Sequence, residues 1–180
     1  MQKKKILFFQ WHSFMNQGIE RALQKLDISY DCFFHQFMDW EKDDDFCEKF
    51  KEKLLGDAYT LVFSINFSPL ISQICEEFGM KYVSWVYDSP LHIRNLESLK
   101  NSCNVIYFFD RGQAEEYQNL GIHAKHMPLA VDTELFGGII QQASKGQAER
   151  AIRKSEISMV GQLYQTEYNH FATPMDGYLR

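Results

Sequence analysis

LVFSIN at 61–66, YVSWVYD at 82–88 and VIYFFD at 105–110 are three short apolar runs, each stopping on a small polar or acidic residue: Asn66, Asp88 and Asp110. Each run is the right length for one strand, and each lacks the polar alternation of a strand with a wet face. That is the pattern of parallel strands covered by helices on both sides. Parallel neighbours deliver their last residues to one edge of one sheet, the edge at which open α/β sheets bind ligands. These runs therefore predict a fold and the place where chemistry belongs.

Working outward, ILFFQ at 6–10 is a further continuous apolar run, and Met15, Ile19, Ala22, Leu23 and Leu26 recur at helical spacing. A second strand is expected at 30–35. Phe46, Phe50 and Leu54 mark a helix opened by the acidic run Asp43, Asp44 and Asp45, whose charge complements a helix N-terminus. After the strand at 59–65, Ser68 followed by Pro69 gives a cap and a first-turn proline. The stripe Leu70, Ile71, Ile74, Cys75 and Phe78 then runs to Gly79. A helix is predicted at 92–100. Asp110 and Gln113 resemble a capping box for a helix closing at Gly121. A sixth strand is expected at 126–131, with Asp132 capping a short turn. Such alternation predicts an α/β class: a doubly wound, mostly parallel Rossmann-like sheet over residues 1–136. The polar, Gly-rich stretch at 137–154 reads as a connector. The apolar run ISMVG at 157–161 reads as the first strand of a second domain, only begun over 155–180.

Composition narrows the function classes. At 180 residues the chain can bury roughly 70% of its extended surface in one domain. A net charge of −5 offers no basic face for phosphates and argues against nucleic acid. Lys3, Lys4 and Lys5 read as a solubilising terminus. Cys32, Cys47, Cys75 and Cys103 fall inside apolar patterns without CxxC spacing, so buried reduced thiols are expected and a zinc site is not. No run approaches the length of a membrane span and no signal-peptide pattern opens the chain, so a cytoplasmic location is expected.

The expected carboxyl edge lacks several familiar devices. The first strand-to-helix turn, Trp11 to Gly18, holds only one glycine, so it does not fit a dinucleotide cradle. A receiver domain would need an acidic cluster where Gln10, Trp11 and Asn66 stand. No GxSxG frame surrounds Ser64, Ser68 or Ser89. What remains is Trp11, His12, Asn66, Asp88, Ser89, His92, Asp110 and Arg111: aromatic faces with hydroxyl, amide, imidazole and carboxylate groups, suited to a sugar or another polyol. Each also has a plain structural reading. Asp110 is a helix cap, Asp88 before Ser-Pro opens a turn, Asn66 satisfies loop backbone, and Trp11 packs the edge.

Four segments carry a family likeness. SINFSPLISQICEEFGMKYVSWVYDSPL (64–91), VIYFFDRGQAEEYQNLG (105–121) and MPLAVDTELF (127–136) resemble, in order and spacing, the N-terminal domain of spore-maturation or spore-coat type glycosyltransferases of the GT-B class. EISMVGQLYQTEYN (156–169) is similar to the opening of that family's second domain, with Gly161 at the turn that approaches the donor. The resemblance implies two Rossmann-like halves: an acceptor side and a second domain holding the nucleotide sugar as co-substrate, with no metal and no cofactor. It implies Asp88 as the catalytic base, with His92 as runner-up. Trp11, His12, Asn66, Ser89, Asp110 and Arg111 would surround a glycan or other hydroxyl acceptor. With the chain ending at Arg180, this half is expected to lack turnover by itself, and the strand at 157–161 is expected to self-associate, pair with the first sheet or fray. The alternative is a non-catalytic glycan-binding or scaffold module on the same fold.

Overall fold

The computed structural model describes residues 5–133. Its strands are β1 Lys5–Gln10, β2 Ser29–Phe34, β3 Tyr59–Ile65, β4 Tyr82–Val86, β5 Asn104–Phe108 and β6 Ala124–His126; its helices are α1 Asn16–Lys25, α2 Asp44–Gly56, α3 Pro69–Glu77 and α4 Arg111–Asn119. The strands form one six-stranded sheet in the order β2-β1-β3-β4-β5-β6. Every pairing is parallel. The α/β, Rossmann-like class expected from the sequence is the one the chain adopts. The chain divides after Asp132, and the sheet belongs to the first unit, Met1–Asp132. The expected connector at 137–154, the strand at 157–161 with Gly161, and the stretch 155–180 lie outside the described residues.

The order reverses beside β1. The chain steps from β1 to β2 on one side, then crosses back to β3 and proceeds to β6 on the other. Right-handed crossovers put α1 on one face of the sheet and α2, α3 and α4 on the opposite face. On that second face, Leu7 and Phe9 of β1, Val62, Tyr82, Val86, Ile106 and Phe108 meet Phe46, Phe50 and Leu54 of α2 and Leu70, Ile71 and Ile74 of α3 in one cluster. The aromatic richness is concentrated here. Phe9 holds Phe37, Phe46 and Phe50 at ring-centroid distances of 5.4, 5.6 and 6.4 Å. By contrast, α1 has no fully buried residue.

Two polar groups are stitched into this core. The fully buried Tyr82 hydroxyl lies 2.7 Å from the Ser64 Oγ and accepts the Ser68 backbone N–H at 3.0 Å; Ser64 Oγ donates to the Asn66 carbonyl at 2.6 Å. This fixes the turn from β3 into α3. The turn ends in the expected cap, with Ser68 Oγ accepting the Ile71 N–H. Buried polar groups paired in this way avoid the desolvation cost of an orphaned donor.

Four expectations are corrected. The predicted helix at 92–100 is only a five-residue 3-10 turn, Leu96–Lys100, capped by Asn95. The residues before it are irregular, with Glu41 accepting the backbone N–H groups of Arg94 and Asn95. The sixth strand lies at Ala124–His126 rather than 126–131. Its ladder closes with Met127 N–H donating to the Phe108 carbonyl, and Pro128 has no N–H to extend it. The thiols are not uniformly buried: Cys75 is, Cys47 and Cys103 are half-buried, and Cys32 is exposed on β2. Burial pushes the Cys103 thiol up to about 12. Finally, Lys5 is structural as well as basic, pairing with Asp31 at 2.8 Å and Asp57 at 2.5 Å. Asp31 also accepts the Tyr59 hydroxyl at 2.6 Å. This joins β1, β2 and β3 at the amino end of the sheet.

Candidate functional site

The edge where β1 and β3 end is the point of strand-order reversal, the position at which such sheets open a crevice. Trp11, the residue after β1, sits in it with its indole Nε1–H donating to the Ile65 carbonyl at 2.9 Å. Its ring lies parallel to Tyr87, 3° between planes and 6.4 Å between centroids, and meets Trp40 edge to face at 5.3 Å. Phe14, 85% exposed, stands against Tyr87 at 5.8 Å. An aromatic surface therefore runs across the crevice.

Asn66 ends β3 in the left-handed region, φ 60°, and is buried. Both ends of its amide are engaged. Oδ1 accepts the Tyr87 N–H at 3.1 Å and Nδ2 donates to Asp88 Oδ2 at 2.7 Å, while its backbone N–H donates to the Trp85 carbonyl at 2.9 Å. An asparagine tolerates this backbone conformation better than most side chains. The result is that a buried amide holds the exposed Asp88 carboxylate next to Tyr87, whose ring lies parallel to Trp11. Burial, with the Asp88 carboxylate adding to it, pushes the Tyr87 phenol above its ordinary range, and a hydrogen bond with Ser13 acts the other way. The phenol stays protonated at neutral pH.

The remaining predicted residues lie around this centre. Ser89 is exposed and precedes a cis Pro90. His92 is exposed, in a groove with Met38, Trp40 and Ile93. His12 is exposed on the β2 side, with its ring 5.0 Å from Phe34 and its N–H on Gln36 Oε1. Asp110 caps α4, its Oδ1 accepting the Gln113 N–H at 2.6 Å, and Arg111 is exposed in the first turn of that helix. The edge thus brings Trp11, Asn66 and Asp88 together, with Ser89 beside them. His12 lies toward one end of it, and Asp110 and Arg111 toward the other. Gly161 lies outside the described residues.

Sequence reasoning passed over Trp40, Glu41 and Arg94. Trp40 and Glu41 precede the acidic run that reads as a helix start, Arg94 falls in the helix expected at 92–100, and only the fold brings the two loops together. Among the described residues, no group of His, Cys, Asp and Glu side chains is placed to hold a metal ion, and no helix is long and apolar enough to cross a membrane.

No family model matches the chain, and no curated protein matches it. Among solved structures it is similar to a GDP-L-fucose synthetase from Naegleria fowleri, at 15% identity and a TM-score of 0.35 over 72% of this chain and 50% of that one. The chain spans about half the length of that protein. At this level nothing about the site carries over from it.

Proposed function

We propose that this domain is the acceptor side of a GT-B type glycosyltransferase, moving a sugar from a nucleotide-sugar donor onto a hydroxyl of a glycan or another small acceptor. One observation carries the reading: an exposed carboxylate, Asp88, is held by a buried amide, Asn66, next to Tyr87, whose ring lies parallel to Trp11. The aromatic faces take the apolar C–H faces of a sugar ring. Asp88 accepts the proton of the acceptor hydroxyl as its oxygen bonds to the donor's anomeric carbon, and the nucleoside diphosphate leaves with the electron pair of the broken bond. Asn66 holds the base in place without touching the acceptor. Ser89, a step further along the same loop, and the Tyr87 phenol supply hydrogen bonds to the other hydroxyls. His92 is the second candidate for the base.

The first strand-to-helix turn lacks the glycines of a phosphate cradle, so the diphosphate is assigned to a second domain, where helix N-termini and basic side chains can hold it. The reaction as proposed uses no organic cofactor.

Asp88→Asn tests the assignment cleanly, because its amide oxygen still accepts from Asn66 while the base is lost. In a form carrying a donor domain, release of nucleoside diphosphate in the presence of acceptor should fall about 10²–10⁴-fold, the usual worth of a general base. Acceptor binding to the present chain, measured by calorimetry, should be unchanged. Full turnover by Asp88→Asn removes Asp88 as base and moves the role to His92. Glycan binding with no turnover in any form supports a non-catalytic carbohydrate-binding module instead.

A further inference from the structure

An open groove of about 550 Å³ lies between the loop that follows β2 and the loop that follows β4. That volume is in the usual range for a small-molecule site. Two kinds of side chain form it. Asp39, Glu41 and Arg94 are charged, but they are committed to one another and to backbone. The Arg94 guanidinium donates to both Asp39 oxygens at 2.6 and 2.8 Å, and Glu41 accepts the N–H groups of Arg94 and Asn95 at 2.5 and 2.9 Å. Paired in this way, they leave little for an ionic ligand. They also tie together two loops that are distant in sequence.

The other side chains are apolar or aromatic: Met38, Trp40, Ile93 and the imidazole of His92. Met38 is 99% exposed, an unusual place for a thioether in a groove wall. His92 makes no hydrogen bond to the other described residues. Trp40 connects the groove to Trp11, and so to Tyr87 and Asp88, through its edge-to-face contact. A tryptophan, a thioether and an imidazole around one groove suit a flat ring, through aromatic and sulfur–aromatic contacts.

We propose that this groove is a subsite for a planar aromatic group on the acceptor, making the acceptor an aryl glycoside or another aryl-bearing alcohol. The inference rests on the acceptor-side reading given above. The ring lies against Trp40 and Met38, His92 gives one hydrogen bond to a ring substituent, and the attached sugar or hydroxyl reaches past Trp11 to Asp88.

The test is an NMR titration of the chain, labelled at methionine methyl groups and tryptophan indole nitrogens, with phenyl β-D-glucoside, methyl β-D-glucoside, octyl β-D-glucoside and 2-phenylethanol. Phenyl glucoside and 2-phenylethanol are expected to shift the Met38 methyl and Trp40 indole signals. Phenyl glucoside should bind about tenfold more tightly than methyl glucoside, the upper end of what one ring contact supplies. Met38→Asp, at a position too exposed to affect folding, should erase that difference. Silence at Met38 and Trp40 with both aryl probes overturns the proposal, and octyl glucoside binding as tightly as phenyl glucoside overturns the aromatic assignment. If methyl glucoside shifts Trp11 while the aryl groups never reach Met38, the groove fails and the acceptor reading stands. If the aryl probes reach Met38 and Trp40 while every probe leaves Trp11 unmoved, the groove stands and the acceptor reading fails.

Discussion

Replacing Asn66 offers the sharpest test of how the edge is built. The side chain does two separable things: it satisfies the Tyr87 N–H and orients Asp88, and it tolerates a backbone φ of 60°. Asn66→Ala removes both. The Tyr87 N–H is half-buried, and leaving it without an acceptor costs about 1–3 kcal/mol. Alanine in the left-handed region adds about 1–2 kcal/mol. The Asp88 carboxylate is exposed and turns to water at little cost. Together the loss is about 2–5 kcal/mol, a large share of the roughly 5–15 kcal/mol of a typical domain. Asn66→Gly loses the same hydrogen bonds but adopts the backbone freely. After allowing for glycine's larger unfolded-state entropy, it should be roughly 0.5–1 kcal/mol more stable than the alanine variant. Urea unfolding followed by tryptophan fluorescence measures both differences. If the two variants coincide, or if either loses less than about 1 kcal/mol, Asn66 is not the support described here.

Tyr82→Phe should cost about 1–3 kcal/mol, because the buried Ser68 N–H loses its partner while the Ser64 hydroxyl keeps the Asn66 carbonyl; thermal unfolding would show it, and an unchanged midpoint would refute it. The Asp31 carboxyl is held well below the usual carboxylate range, first by the hydrogen bond from Lys5 and then by that from Tyr59. An unfolded aspartate takes its proton near pH 3.9, so this group stabilises the fold above about pH 4, and that contribution fades as the pH drops through the lower folded value. Asp31→Asn should be less stable at neutral pH and should lose less on acidification; acid limbs of equal slope in the two proteins would exclude the Lys5 cluster as their cause. Asp110→Ala should destabilise the domain by about 0.5–2 kcal/mol through loss of the α4 cap, with Asp110→Ser largely restoring it; a loss of acceptor affinity without a loss of stability would instead place Asp110 in the binding site.

Where local chemistry decides, the sequence was readable. Continuous apolar runs have no wet face, so β1, β3, β4 and β5 were placed within a residue or so, and their parallel register puts Asn66, Asp88 and Asp110 on one edge as expected. Ser68 with Pro69, and Asp110 with Gln113, announced helix starts because a cap acts over three residues. The end of β6 was also written in the sequence, in the missing N–H of Pro128, though an apolar run reading on to Val131 masked it. The irregular segment before Leu96 is not readable. His92 to Lys100 carries an acceptable helical pattern, and what overrides it is Glu41, whose two backbone contacts are made across the crevice. Contacts of this kind arise from strand order, and no single segment records them.

The placement of β1 between β2 and β3 has a consequence for synthesis on the ribosome. When the chain has emerged only as far as α2, β1 can pair with β2 alone, and one face of that ribbon presents Leu7 and Phe9 with only Phe37, Phe46 and Phe50 to cover them. Closure must wait for Tyr59–Ile65 to arrive and insert along the free side of β1. Until then the nascent chain displays a strip of phenylalanines, and slow translation before residue 65 would lengthen that exposure.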